Sequence, residues 1–160
     1  MDQEFYQKKI FNEEAEHVNS YYLEDWQIEL VNEIKNCLSV CNIQKNKDLI
    51  LDLGTGALGY VVNELAKENY KAIGLDISND AILKAKQFAE KMNKGKWYRF
   101  ITASAEKLPF EDKSISFVSA IALMEHIVDD EEFMDEISRV LKIGGAYFCC
   151  FLTHIVIIIF

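Results

Sequence analysis

A strand, a glycine loop, a helix and a second strand ending in an acid occupy residues 48–78, and they constrain everything else the chain can do. Asp48-Leu49-Ile50-Leu51-Asp52-Leu53 is an apolar run bounded by charge before it and glycine after it, which reads as a buried parallel strand. Gly54-Thr55-Gly56-Ala57-Leu58-Gly59 turns that strand into a helix. Leu58, Val61, Val62, Leu65 and Ala66 keep one apolar face at helical spacing, and a second apolar strand, Ala72-Ile73-Gly74-Leu75, runs into Asp76. The unit is βαβ, with an acid about twenty residues past the glycines. Glycine supplies backbone angles closed to other residues, and its bare main chain lets a ligand approach and the helix pack close. The combination points to a nucleotide-type cofactor, with Asp76 placed to accept hydrogen bonds from a ribose.

Asp52 narrows the choice of cofactor. A carboxylate shortly before Gly54 is unwelcome to a pyrophosphate, because a helix N-terminus is arranged to attract that anion. A ligand with sulfonium and ammonium groups and no phosphate gains from the same charge, directly or through water. Here the sequence resembles the class I S-adenosylmethionine-dependent methyltransferases, whose first motif has the form acid-x-Gly-x-Gly-x-x-Gly, matched by Asp52-Leu53-Gly54-Thr55-Gly56-Ala57-Leu58-Gly59. The resemblance implies S-adenosyl-L-methionine as cofactor. It places Asp52, Gly54, Thr55, Gly56 and Gly59 around it at the loop, with Asp76 and Ile77 at the end of the second strand.

The chain has 160 residues, half of them hydrophobic, enough for one domain with a real core and too few for two ordinary ones. A net charge of −9 argues against nonspecific binding to nucleic acid or an anionic membrane. Lys84, Lys86, Lys91, Lys94, Lys96 and Arg99 form a local basic cluster at helical spacing, read as a solvated face. Asp2 and Glu4, with no long apolar run, read as neither a signal peptide nor a transit peptide, and the expected location is the cytoplasm. Cys37 and Cys41 lie one helical turn apart and Cys149-Cys150 lie in an apolar run, all natural places for small buried side chains. Without a second pair of ligands, no metal site is expected.

Residues 1–24 are polar with scattered aromatics, Phe5, Tyr6, Phe11, Tyr21 and Tyr22, and are expected to form an N-terminal flap packed by those rings. Trp26, Leu30, Ile34, Leu38 and Cys41 predict an amphipathic helix over 25–41. Ser78 is a helix cap before Ala81, Ile82, Ala85, Phe88, Ala89 and Met92, and Asn93-Lys94-Gly95 stops that helix. Trp97–Ala103 is the third strand and Ile115–Leu123 the fourth. Asp129–Glu132 open another helix, with acids at its positive end, Lys142 near its close and Gly144-Gly145 ending it before a fifth strand over Ala146–Leu152. The alternation predicts a doubly wound, mostly parallel α/β domain over residues 25–152.

Three later stretches, Ser104-Ala105-Glu106-Lys107-Leu108-Pro109-Phe110, Ala120 to His126 and Arg139-Val140-Leu141-Lys142-Ile143-Gly144-Gly145, resemble the motifs of the type 11 small-molecule methyltransferase group at its spacings. The resemblance implies a Rossmann-like sheet of order 3-2-1-4-5. It puts Ala105 and Glu106 beside the adenine, Ser104 where the group commonly has an acid, and Ala120 and Ile121 lining the pocket at the end of the fourth strand. It also implies that Tyr21 or Tyr22 faces the site. Ser116 and Ile143 depart from the group's usual Asp and Pro. His126 is the histidine placed near the reaction, either as a general base for a protic acceptor or as a loop-capping residue.

The family fold has seven strands, the last two an antiparallel pair, and the sequence ends at Phe160 in an apolar tail, residues 153–160. The last two strands are expected to be missing, as in a truncated or misjoined product. The tail is too short for a membrane helix and reads as a strand, or two short ones, open to a partner protein. The resulting expectation is methyl transfer from S-adenosylmethionine to a small molecule. The alternatives are a non-catalytic cofactor- or partner-binding remnant and an NAD(P)-dependent oxidoreductase.

Overall fold

The computed structural model describes residues 3–151 and 154–160. In chain order the elements are α1 (Gln3–Glu16), α2 (Asp25–Val40), β1 (Leu49–Leu53), α3 (Tyr60–Lys67), β2 (Lys71–Asp76) and α4 (Asn79–Met92). They continue with β3 (Tyr98–Thr102), β4 (Ile115–Ile121), a 3-10 turn (Met124–His126), α5 (Asp130–Val140), β5 (Leu141–Phe151) and β6 (His154–Ile159). The six strands form one sheet in the order β3-β2-β1-β4-β5-β6. Neighbours are parallel from β3 through β5, and only β6 runs antiparallel, against β5.

Strand alternation sorts the core into two layers. Ile50, Ala72, Phe117 and Phe148 face α2, α3 and α4. Leu51, Leu53, Ile73, Leu75, Val118 and Tyr147 face α5 and the loop that carries Leu108. Strand order reverses between β1 and β4, the place where open α/β sheets leave a crevice beyond their carboxyl ends. Two caps fix the helices beside it: Ser78 Oγ accepts from Ala81 N–H at 3.0 Å to start α4, and Asp129 Oδ1 accepts from Glu132 N–H at 2.9 Å to start α5.

Two expectations at the end of the chain are corrected. The fifth helix stops at Val140 and β5 already starts at Leu141, ahead of Gly144-Gly145. The glycines sit in the strand, where its pairing with β4 shifts register between Ile115 and Phe117. Gly144 takes φ +78°, and both glycines bond the backbone of Phe160. They therefore form a kink in β5 and do not cap the helix. The tail makes one strand, so the sheet gains an antiparallel sixth member beyond the expected 3-2-1-4-5 order. Residues 152 and 153, where the domain was expected to give way to the tail, lie outside the described residues. Among the described residues no helix is long and apolar enough to cross a membrane.

Candidate functional site

β1 leads into Gly54-Thr55-Gly56, and Thr55 N–H donates to the Leu75 carbonyl at 3.0 Å, which ties the loop to the neighbouring strand. Gly54 and Gly56 adopt φ +67° and +64°, angles that let the chain double back here. The loop's amides then meet Asp76: Gly56 N–H donates to Oδ2 at 2.9 Å and Ser78 N–H to Oδ1 at 2.8 Å. Asp76 is 8% exposed, and burial pushes its carboxyl above the usual range while those N–H bonds pull it back. Each oxygen keeps a lone pair for a further donor.

These groups open on a cleft of about 190 Å³. Gly54, Gly56, Asp76 and Ile77 form its floor, Ser104, Ala105 and Glu106 one wall, and His126 the rim opposite. Glu106 Oε1 accepts from the N–H groups of Val128 and Asp129 at 2.7 and 3.0 Å, so this carboxylate also ties the two walls together.

The structure sets other expected residues apart. Ala120 and Ile121 stay inside β4, and the lining comes from Ala122 and Leu123 just beyond them. Ala122 takes φ +50°, an uncommon angle for a residue with a side chain, at the point where the strand turns into the 3-10 segment. Gly59 caps α3 at φ +52°, and a Cβ there would lie 2.6 Å from the Phe100 ring, so this glycine serves packing. Thr55 is buried below the loop.

Asp52 is absent from the cleft lining: it lies on the Ile50 face, between Ser119 of β4 and Gly74 of β2. It is 3% exposed and accepts from Ser119 Oγ at 2.8 Å. The Thr55 hydroxyl lies near enough to pull the Asp52 pKa down but makes no well-aligned hydrogen bond. Burial, the largest influence, pushes the Asp52 carboxyl up to about 7. A group that is about half neutral at pH 7 is a weaker ground against a pyrophosphate than its position in the motif implies.

This placement predicts a pH dependence. A carboxyl raised from roughly 3.9 when unfolded binds its proton more tightly when folded, so its contribution to stability falls as pH rises from about 4 to about 7. Asp52→Asn keeps an acceptor for Ser119 and removes the titration. The variant should melt with the parent at pH 4 and several degrees above it at pH 8, from a gain on the order of 4 kcal/mol at most. Parallel melting profiles from pH 4 to 8 would rule out a raised Asp52.

Of the N-terminal residues, the resemblance points to Tyr21 or Tyr22 at the site, and the structure places both elsewhere. Tyr21 donates to Glu64 Oε1 at 2.9 Å and stacks near Phe88, and Tyr22 is 72% exposed, so neither faces the cleft. Gln7 and Phe11 of α1 line it instead. Phe11 stands edge-on to the His126 ring, centroids 5.1 Å apart. Nothing in the spacing of α1 marks these two positions, because its apolar residues form no continuous stripe. The side chains of Phe5 and Tyr6 lie outside the description.

Residues 51–149 match the family described as methyltransferase domain. The chain is 30% identical over 102 residues to the ubiquinone/menaquinone biosynthesis C-methyltransferase of Bartonella tribocorum, covering 62% of this chain and 39% of that one. It is 35% identical over 101 residues to the sterol 24-C-methyltransferase of Saccharomyces cerevisiae, covering 62% of this chain and 26% of that one. The chain thus spans well under two thirds of these relatives. A solved S-adenosylmethionine-dependent methyltransferase of Methanosarcina mazei superposes with a TM-score of 0.61 at 31% identity, over 69% of this chain and 55% of that one. With the family match extending from β1 into β5, over the glycine loop and both walls of the cleft, the chain belongs to the methyltransferase domain family, among the class I S-adenosylmethionine-dependent methyltransferases.

Proposed function

We propose that the chain binds S-adenosylmethionine in this cleft and transfers its methyl group to a small, uncharged, largely apolar acceptor. One observation carries the reading: the Asp76 carboxylate, braced by the amides of Gly56 and Ser78, lies on the cleft floor with lone pairs left over for a vicinal pair of ribose hydroxyls. The residues present fit the cofactor. A Cβ on Gly56 would touch nothing within 4 Å, so the main chain there is bare toward the space a ligand needs. Bound in the cleft, the cofactor supplies an electrophilic methyl carbon on sulfur.

The chain's own part is to hold and align. Asp76 fixes the ribose end, the backbone from Ser104 to Glu106 offers polar edges to a base, and the apolar side chains of Phe11, Leu123 and Ile127 exclude water from the other end. His126 is the one imidazole in the cleft lining and takes the proton where the acceptor is protic. Among the described residues no Lys or Arg lines the cleft, so an acceptor bearing phosphate or carboxylate would find no counter-charge. The quinone and sterol acceptors in the names of the relatives support the same class. The free thiols of Cys37, Cys41 and Cys149 suit a cytoplasmic protein, and the uncharged outer strand β6 suits a protein partner.

Asp76→Ala tests the assignment. It should weaken S-adenosylhomocysteine binding by about 1–3 kcal/mol, through loss of hydrogen bonds to a charged acceptor. A folded variant with the parent's affinity would remove Asp76 from the site.

A further inference from the structure

α1 is fastened to both walls of the cleft. On the β2–α4 side, the Ser78 hydroxyl donates to Asn12 Oδ1 at 2.6 Å. On the β4–α5 side, Gln7 Nε2 donates to the His126 carbonyl at 2.7 Å, and Phe11 packs against the His126 ring. The helix therefore crosses the cleft, with Phe11 also bordering a smaller lobe above Gly56 and Ala57.

Ser78 gives this crossing its consequence. Its side chain is fully buried and its oxygen already accepts from Ala81 N–H, so its single proton needs an acceptor inside the protein. Asn12 is that acceptor, and without it the hydroxyl is buried with an unmet donor. The same residue's N–H orients Asp76 at 2.8 Å, and Asp76 in turn receives Gly56 N–H. Asn12 itself is absent from the cleft lining. It reaches the carboxylate only through Ser78.

We propose that Asn12 is a positioning residue for Asp76, and that docking of α1 and occupation of the cleft strengthen each other. The inference rests on Asp76 holding the ribose, as proposed above. A docked α1 fixes Ser78 and with it the carboxylate, so a ligand that needs Asp76 in this orientation binds the docked form better. By linkage, the ligand tightens the docking by the same factor.

The test uses the whole chain and S-adenosylhomocysteine, with Asn12→Ala and with Asn12→Asp, which keeps an acceptor oxygen at the same reach. Calorimetry should show the dissociation constant raised about five- to tenfold in Asn12→Ala and nearer the parent's in Asn12→Asp. Amide exchange over residues 7–16 should slow on saturation in the parent and in Asn12→Asp, and slow less in Asn12→Ala. A purely structural Asn12 would lower the melting temperature without changing that ligand-induced protection. An unchanged dissociation constant in Asn12→Ala, or α1 exchange indifferent to ligand in the parent, overturns the coupling alone. A folded parent that binds no S-adenosylhomocysteine overturns the cofactor reading and the coupling with it.

Discussion

Gly59→Val severely destabilises the fold. The new Cβ would lie 2.6 and 2.8 Å from two carbons of the Phe100 ring and 3.0 Å from Ala85 Cβ, in the layer where α3 and α4 pack on the sheet. Phe100 is buried on β3 and cannot swing into solvent. Overpacking of this kind costs about 1–3 kcal/mol or more, and a left-handed φ costs a side chain a further ~1–2 kcal/mol, most for a β-branched residue. The sum reaches a large part of the ~5–15 kcal/mol that holds a domain together. Thermal unfolding followed by circular dichroism should lose its sharp transition or move down by ten degrees or so. Phe100→Leu in the same chain should restore part of it, because the two changes meet at one contact. A Gly59→Val protein that melts like its parent would show that the third glycine is not a packing residue.

Gly56→Val has the opposite profile: the fold survives and binding is lost. Its Cβ meets no atom within 4 Å, so the cost to folding is confined to a left-handed φ of +64°, about 1–2 kcal/mol. The isopropyl group then stands beside Asp76, in space the cofactor needs for close approach to the main chain. Affinity for S-adenosylhomocysteine should fall by roughly 100-fold or more, equivalent to about 3 kcal/mol. Measured together, the two glycine variants separate a residue that makes room for a ligand from one that makes room for a ring. Normal binding by a folded Gly56→Val chain would move the cofactor elsewhere.

The sequence carries the parts of this site that depend on local pattern. The run from Ile50 to Leu53, the glycine spacing, the Ser78 and Asp129 caps and the acid at Asp76 each impose a local geometry, and the structure has the strands and helices they imply. Where the expectation slipped, the deciding force was tertiary. Asp52 belongs to the motif by spacing, yet it is buried against the Ser119 hydroxyl of β4 and is absent from the cleft lining. Gly144-Gly145 looks like a helix stop, but the backbone of Phe160 holds it in a kinked strand. Gln7 and Phe11 owe their place to the partners α1 finds across the cleft, and a helix without a continuous apolar stripe advertises none of them. The tail is apolar on both faces and so has no period to read. Its strand, 37–67% exposed from Ile155 to Ile159, is fixed by pairing with β5.

The most direct measurement is calorimetric titration of the purified 160-residue chain with S-adenosylhomocysteine, and with NADH in parallel. Saturable binding of the first alone is the result expected from a braced Asp76 above a bare Gly56. Saturable binding of NADH, or a folded and monodisperse chain that binds neither ligand, would contradict the assignment of this cleft to S-adenosylmethionine.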